Sequence, residues 1–536
     1  MAACRILVLP PGTEPDIVKL ALDCDLGASL TQVRELTLEY LDTFDGRVYR
    51  AAARLVVEQE RRTRHLLINT ATERYPISRA PVWAHELPVQ QADLRRKIGV
   101  RALGPTLVRQ LVQSEYGILD DLDKTVVRLE VKVGAVTSGT DTLSPAPTEI
   151  RIFALRGFDE FNQRFIDAVL SSWPQAQEVS DELEVLASAC GFAVAGHSTK
   201  LALELDPSMP VNAALKVMLR TMHAQIDTNV AGTKVGIDSE FLHDLRVAVR
   251  RSRAWLSCLR GQIEPHLRTR AVGELKWLSE QTGTLRDLDV YLLKLDVYAG
   301  ALPAPDAGAL EPLREHLRLA RGRAQRALRA DLNSPRFAEF MHWWQAVLAQ
   351  SDTESIGQAV APAPDEFEET ALAVANRVIW KRLKKVLKQG RAISAHTPAQ
   401  ELHKLRLECK QLRYLFEAFS SLYPAKKIRR LVRALRRLQN HLGEFQDLEV
   451  QQDGMRLFAH KMFQRRAPEI PTLLAMGRLI EQLHQRQMAQ RESFAGPWAD
   501  FDNPRNTRFS TRAFRRPNEA EDFYEKWPGM KPWPSS

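Results

Sequence analysis

Residues 242–256 read LHDLRVAVRRSRAWL, and residues 402–416 read LHKLRLECKQLRYLF. Each stretch sets a histidine ahead of three regularly spaced cations. In the first these are His243, Arg246, Arg250 and Arg253; in the second, His403, Arg406, Lys410 and Arg413. At about 100° per helical residue, the four side chains of each set share an arc of about 80°. Leu242, Leu245, Val249 and Leu256 occupy the neighbouring arc, as do Leu402, Leu405, Cys409 and Phe416 in the second copy. Each helix is therefore expected to carry a core stripe and, beside it, a basic stripe lining a groove. Forked guanidinium groups and ammonium groups suit phosphate oxygens, and an imidazole N–H adds a further donor. Metal ligation by the two histidines is disfavoured, because the nearby cations oppose it. Arginines beside a core stripe also commonly pair with carboxylates, and Asp287, Asp289, Asp447 and Glu449 are available for that. The duplicated spacing favours a ligand over that alternative. Arg251 falls on another side of the helix and is expected to be solvated.

The offset of 160 residues persists downstream, where WLSEQTGTLRDLDV at 277–290 matches RLQNHLGEFQDLEV at 437–450. Gly283 meets Gly443, Asp287 meets Asp447, Lys276 meets Arg436 and Arg270 meets Arg430. A duplicated helical unit explains two blocks that hold one offset. Lys216 and Arg220 match Arg377 and Lys381 one residue out of register. KRLKKVLKQGR at 381–391 has six basic residues and no acid, and KKIRRLVRALRR at 426–437 has seven and none. Lys381, Lys384, Lys385 and Lys388 stand at helical spacing, where like charges repel by a few tenths of a kcal/mol per pair. A bound polyanion would relieve that repulsion.

The elements that must position these residues fall into two textures. Short alternating stretches run through the first 195 residues: RILVL at 5–9, RLVVEQ at 54–59, HLLIN at 65–69, VVRLEVKV at 126–133 and EIRIFAL at 149–155. Period-two alternation predicts strands with one wet face. FDEFNQRFIDAVLSSW at 158–173 predicts a helix, and 134–149 a loop. The expected fold is α+β with a mainly antiparallel sheet. From about residue 200 the pattern is amphipathic and helical to about 495. SDTESIGQAVAPAPDE at 351–366 reads as a linker between helical halves, and 496–536 as a loose tail.

Composition sets the frame. The 536 residues allow two to four domains, and the net charge of +9 favours a polyanionic partner. The five scattered cysteines contain no CxxC, which argues against a disulfide framework or a cysteine zinc site and fits a reducing cytoplasm. No apolar stretch reaches membrane length, and the one in MAACRILVLPPG is too short for a signal peptide. There is no Walker A, no GxGxxG after a strand and no HExxH.

The blocks HDLRVAVRRSR and HKLRLECKQLR, each followed by a Gly-x-x-x-Asp block, resemble the CHAD family, the conserved histidine α-helical domain. The resemblance covers about 200–495. It implies two four-helix bundles related by pseudo-two-fold symmetry, at 200–350 and 367–495, binding inorganic polyphosphate through basic residues on a central groove. The implied ligand-binding residues are His243, Arg246, Arg250, Arg253, His403, Arg406, Lys410 and Arg413. Lys216, Arg220, Lys276, Lys381, Lys384, Lys385, Lys388 and Arg436 add to them. Gln446 departs from the pattern, standing where the first copy has Arg286.

Residues 1–195 resemble a CYTH domain of the triphosphate tunnel metalloenzymes, on YLDTFDGRVYRAAARL at 40–55 and the later strands. That family opens with E-x-E-x-K, whose carboxylates hold a divalent metal. Here Cys4, Ile6 and Val8 alternate instead, and Glu130 and Glu149 alone are too few for Mg²⁺. Arg54, Arg101, Arg109 and Lys132 are candidates to hold an anion. The expectation is a degenerate, inactive CYTH-like domain ahead of a non-enzymatic, cofactor-free polyphosphate-binding module, cytoplasmic and on polyphosphate granules. Triphosphatase activity and nucleic-acid binding are the rival expectations. Chain-length preference and oligomeric state stay open.

Overall fold

The computed structural model describes residues 4–69, 73–138, 143–191, 194, 201, 203–350, 369–394, 396–464 and 469–515. The chain divides into two units, Met1–Thr199 and Lys200–Ser536.

The first unit is a sheet with short helices. Its strands are β1 (Cys4–Pro11), β2 (Gly27–Thr43), β3 (Leu55–Glu60), β4 (Thr63–Ile68), β5 (Glu73–Pro76), β6 (Leu103–Leu119), β7 (Thr125–Thr137), β8 (Ser144–Pro145), β9 (Pro147–Ala154) and β10 (Gln177–Val179). Its helices are α1 (Ile17–Leu22), α2 (Arg47–Arg50), α3 (Ala92–Ile98), α4 (Asp159–Ser172) and α5 (Glu182–Ala189). The strand order is β10-β1-β9-β7-β6-β2-β3-β4-β5, with β8 on β7, and the pairings are antiparallel. Alternation puts Val127, Leu129 and Val131 of β7 on one face with Leu7, Leu9, Ile150 and Ile152. Phe165, Ile166 and Val169 of α4 cover that face. The stretch read as a loop at 134–149 is shorter than expected, because β7 runs on to Thr137 and β8 and β9 occupy 144–145 and 147–154.

The second unit is helical: α6 (Val211–Val235), α7 (Ser239–Cys258), α8 (Pro265–Gln281), α9 (Gly283–Ala299), α10 (Ala304–Gly308), α11 (Glu311–Leu332), α12 (Pro335–Ala349), α13 (Ala371–Arg391), α14 (Ala399–Ala418), α15 (Ala425–Gln464), α16 (Ile470–Glu492), α17 (Ala495–Phe501) and α18 (Pro504–Phe514). The repeat is visible in the order. Helix α7 corresponds to α14, and the pair α8–α9 corresponds to the single 40-residue α15.

The core is not partitioned as one bundle per half. One apolar cluster joins α6, α7, α8, α12, α13, α14 and the first part of α15. The other joins Leu288, Tyr291 and Leu295 of α9 and Leu313 and Leu317 of α11 to Met455 and Phe458 of α15 and Leu479 and Leu483 of α16. The long helical paths α8–α9 and α15 pass through both clusters, so each cluster draws on both halves of the repeat. The expected linker at 351–366 lies outside the described residues.

The expected tail at 496–536 is corrected as far as residue 514. Asn503 caps α18, accepting from the Asn506 N–H at 2.9 Å, and Pro504 stands at its first turn. Phe501, Phe509 and Phe514 are buried in the first cluster. The aromatic spacing was present in a stretch whose Pro, Asn and Arg content resembles a solvated segment. Residues 516–536 lie outside the described residues.

Gly390 of α13 shows how this C-terminal piece is seated. A Cβ there would lie 2.0 Å from the Trp498 ring. Alanine in a helix is ordinarily better than glycine by about 1 kcal/mol. Here Gly390→Ala is expected to destabilise by about 1–3 kcal/mol through overpacking, with faster hydrogen exchange in 495–514. Urea unfolding and exchange mass spectrometry check both.

Candidate functional site: a band of cations at the junction of the repeats

Helices α7 and α14 pack on one another. The Trp255 indole N–H donates to the Tyr414 carbonyl at 3.1 Å, and Arg251 pairs with Glu417 at 3.0 Å. Arg251 is thus not solvated; at 11% exposure it faces the other motif helix. Helix α7 is buried on two sides, against its own neighbours and against α14, so its apolar arc is wider than one stripe. Leu242, Leu245, Val249 and Leu256 are buried as expected, and so are Ala248, Ser252 and Trp255. Leu402, Leu405, Cys409 and Phe416 are buried in α14.

This packing joins the two basic stripes. The Lys410 ammonium lies in the field of Arg250, Arg406 and Arg413, and Arg246 in that of Arg250 and Arg286. One band therefore runs from Arg286 through Arg246 and Arg250 to Lys410, Arg406 and Arg413. Burial, then the three arginines, hold the Lys410 ammonium down to about 8, with Asp447 opposing. Burial and Arg250 likewise lower Arg246 to about 10.

The band is anchored at its ends. The Arg246 guanidinium donates to the Ser279 carbonyl at 2.8 Å and to the Thr282 hydroxyl at 2.7 Å. Arg406 pairs with Asp447 at 3.0 Å. A Cβ at Gly283 would meet Arg246 at 3.9 Å, and one at Gly443 would meet Arg406 at 3.7 Å. The glycine of each downstream block thus lies against the arginine of its motif, at a distance where a Cβ would make ordinary contact. The aspartate of each block lies in the same arginine's field. Arg413 and Arg436 share Glu417, at 3.8 and 3.5 Å. Arg250 and Lys410 differ: among the described residues neither makes a hydrogen bond or an ion pair, and the Arg250 Nε is buried without a partner.

The histidines flank the band, both half-buried. His403 Nδ1 donates to the Gln446 side-chain oxygen at 2.8 Å. The residue that departs from the repeat therefore orients an imidazole, while Arg286 in the first copy donates to the Ser239 carbonyl at 3.3 Å. Arg253 is half-buried on α7.

Other sequence candidates lie elsewhere. Lys216 is buried and donates to the Gln350 carbonyl at 3.4 Å, and Arg220 donates to the Leu348 carbonyl at 2.5 Å. Both close the C-terminal end of α12. Lys276 is exposed and pairs with Glu280 at 3.9 Å. Lys385 pairs with Glu408 at 2.5 Å, while Lys381, Lys384 and Lys388 are exposed on α13. Thr282 was missed as part of the site; its signal was position, next to Gly283. Arg286, the residue that Gln446 replaces in the second copy, joins the band.

The first unit has its own cavity of about 480 Å³. Ile6, Arg34, Arg54, Glu58, Leu67, Glu130, Lys132 and Arg151 are among its lining residues. Ile6 comes from β1 and Leu67 from β4, near opposite ends of the strand order, so the sheet curls around the space. Two of the expected anion holders are not there. Arg101 is fully buried beside Asp45 at 3.6 Å. Arg109 is fully buried, donating to Glu149 at 2.7 Å and to the carbonyls of Lys132 and Pro147. Burial alone would raise the Glu149 carboxyl, but Lys132, Arg151 and Arg109 hold it well below the usual carboxylate range. Burial raises Glu130. Asp42 is a turn cap, accepting from the backbone N–H groups of Thr43, Val48 and Tyr49.

The second unit is thus a duplicated α-helical domain with a cationic band where its two motif helices meet. Residues 217–456 match the model of the CHAD domain, and this chain contains a CHAD domain. Two solved structures are similar. The CHAD domain from the plant Ricinus communis is 24% identical with a TM-score of 0.47, covering 56% of this chain and 97% of that one. PptA from Streptomyces chartreusis is 20% identical with a TM-score of 0.42, covering 54% and 99%. Comparison with curated proteins finds no match. No helix among the described residues is long and apolar enough to cross a membrane.

Two outcomes are expected. The folded Lys410 ammonium is depressed below its ordinary value of 10.5. Its unfavourable contribution is therefore full below pH 8 and relieved as pH rises from 8 to 10.5. Relative to Lys410→Gln, the wild type should gain on the order of 1–3 kcal/mol across that window, read by urea unfolding against pH. Glu149→Gln leaves Arg109, Lys132 and Arg151 without their shared carboxylate. It should cost about 3–5 kcal/mol by the same measurement.

Proposed function

We propose that the CHAD domain binds inorganic polyphosphate without transforming it, in the cytoplasm and on polyphosphate granules. The observation that carries this reading is the pair Arg250 and Lys410, adjacent, partly buried and without a hydrogen bond or ion pair among the described residues. Ion pairing accounts for Arg251, Arg406, Arg413 and Arg436. It does not account for these two. Placing like charges together in a partly buried band lowers stability, and a polyanion crossing both copies of the motif reverses that. Successive phosphates would replace the missing carboxylates, releasing counterions, so affinity falls steeply with salt.

The first unit we read as CYTH-like, with its metal site lost. Ile6 puts hydrocarbon on the cavity wall where the resemblance calls for a carboxylate. Glu149 is held by three cations of its own chain.

Arg250→Ala with Lys410→Ala should weaken binding of long-chain polyphosphate at least tenfold, flatten its salt dependence and leave Tm unchanged or raised. Arg251→Ala should lower Tm and change affinity little. Titration of both variants at several salt concentrations, with DNA and RNA as competitors at equal phosphate, checks the reading. Unchanged affinity in the double variant, or preference for nucleic acid, would overturn it.

A further inference from the structure

The cavity of the first unit has a charge pattern of its own. Its lining includes both cations and carboxylates, and each of the cations is already paired with a carboxylate of the chain. Arg34 lies 3.6 Å from Glu60 and 3.7 Å from Glu115. Arg54 pairs with Asp181, and Arg74 with Glu58. Lys132 and Arg151 both donate to Glu149, and Arg151 also pairs with Glu182 at 3.1 Å. Arg54 and Lys132, expected to hold an anion, thus have their anions from within the unit.

Glu130 is different. It lines the cavity, half-buried, and among the described residues it makes no hydrogen bond or ion pair. The strand register explains why it is left over. Between β7 and β9 it stands opposite Arg151, whose guanidinium is engaged by Glu149 and Glu182. Between β6 and β7 it stands opposite Glu115. Like charges directly opposite on neighbouring strands destabilise a sheet. Burial raises the Glu130 carboxyl; Lys132 and Arg151 oppose the rise without cancelling it, and Glu115 and Glu149 add to it.

Two more acceptors face the same space. Tyr40 is only 4% exposed and lines the cavity, yet its hydroxyl makes no hydrogen bond among the described residues. Buried hydroxyls are ordinarily hydrogen-bonded. Gln113 is also buried against the cavity. Its side-chain N–H donates to Glu115 at 3.2 Å, while its side-chain oxygen accepts nothing among the described residues. Ile6, Leu38, Val56 and Leu67 give the cavity a hydrocarbon wall.

We propose that this cavity binds a small alkylamine cation, its ammonium donating to Glu130 and its hydrocarbon body lying along the apolar wall. An ammonium is a donor only, which matches a site that offers a carboxylate, a hydroxyl and a carboxamide oxygen. A phosphate would need cations that the chain's own carboxylates already occupy, and it would meet Glu130. The volume of about 480 Å³ falls within the range of small-molecule sites. The site shares neither residues nor ligand class with the polyphosphate reading of the second unit.

The test uses the full chain and n-butylamine, titrated at neutral pH by saturation-transfer NMR. Butyrate, of similar length and opposite charge, is the control. The amine should bind and butyrate should not. Glu130→Gln should weaken the amine on the order of tenfold. Its Tm should be equal or higher, since no ion pair is lost. Tyr40→Phe removes only the unpartnered hydroxyl, and should weaken the amine about threefold with Tm equal or higher. No binding of the amine, or equal affinity in the wild type and both variants, would overturn the proposal. Butyrate binding that Tyr40→Phe weakens and Glu130→Gln does not would overturn the ligand class. A marked fall in Tm for Glu130→Gln would make this carboxylate a structural ion-pair partner, and would overturn the proposal too.

Discussion

The contact between α7 and α14 is the constraint on which the helical unit depends. A tryptophan N–H on a backbone carbonyl and a nearly buried Arg251–Glu417 pair hold two equivalent helices face to face. Once they are so placed, the basic stripes on their flanks must meet, and Arg250 has no choice but to lie against Lys410 and its neighbours. Glu417 does more than one job, since it also faces Arg413 and Arg436. The carboxylate that fixes the junction thereby takes up charge on the outer side of the band and leaves the middle cationic.

Legibility in the sequence followed the strength of the local period. The motif helices were readable because two copies gave the same two arcs, and the leucines assigned to the core stripe are buried. Strands β1, β3, β4, β7 and β9 were readable from alternation. The longest strands, β2 and β6, were not singled out. Each has 17 residues, and their polar side chains include Arg34, Arg109 and Gln113, which face a cavity or a buried ion pair rather than water. Alternation of apolar with polar fails as a signal when the sheet curls around a polar interior.

The misplaced side chains share a cause as well. Charge suggests that Arg101 and Arg109 are available, and helical position suggests that Arg251 is solvated, yet each is held by a carboxylate from a distant part of the chain. Spacing within one helix says which side chains share a face. It does not say what the opposite wall carries, and that decides whether a cation is satisfied. Lys216 and Arg220 make the same point, because their carbonyl partners lie more than a hundred residues downstream.

The unequal treatment of the two long helical paths has a mechanical consequence. The first copy breaks at Thr282 between α8 and α9, whereas α15 continues unbroken for 40 residues and carries side chains of both apolar clusters. A rod shared by two cores transmits strain between them, and a broken one lets its two segments reorient. Local opening should therefore start at the α8–α9 joint, while α15 makes the two clusters unfold cooperatively, as one hydrogen-exchange unit.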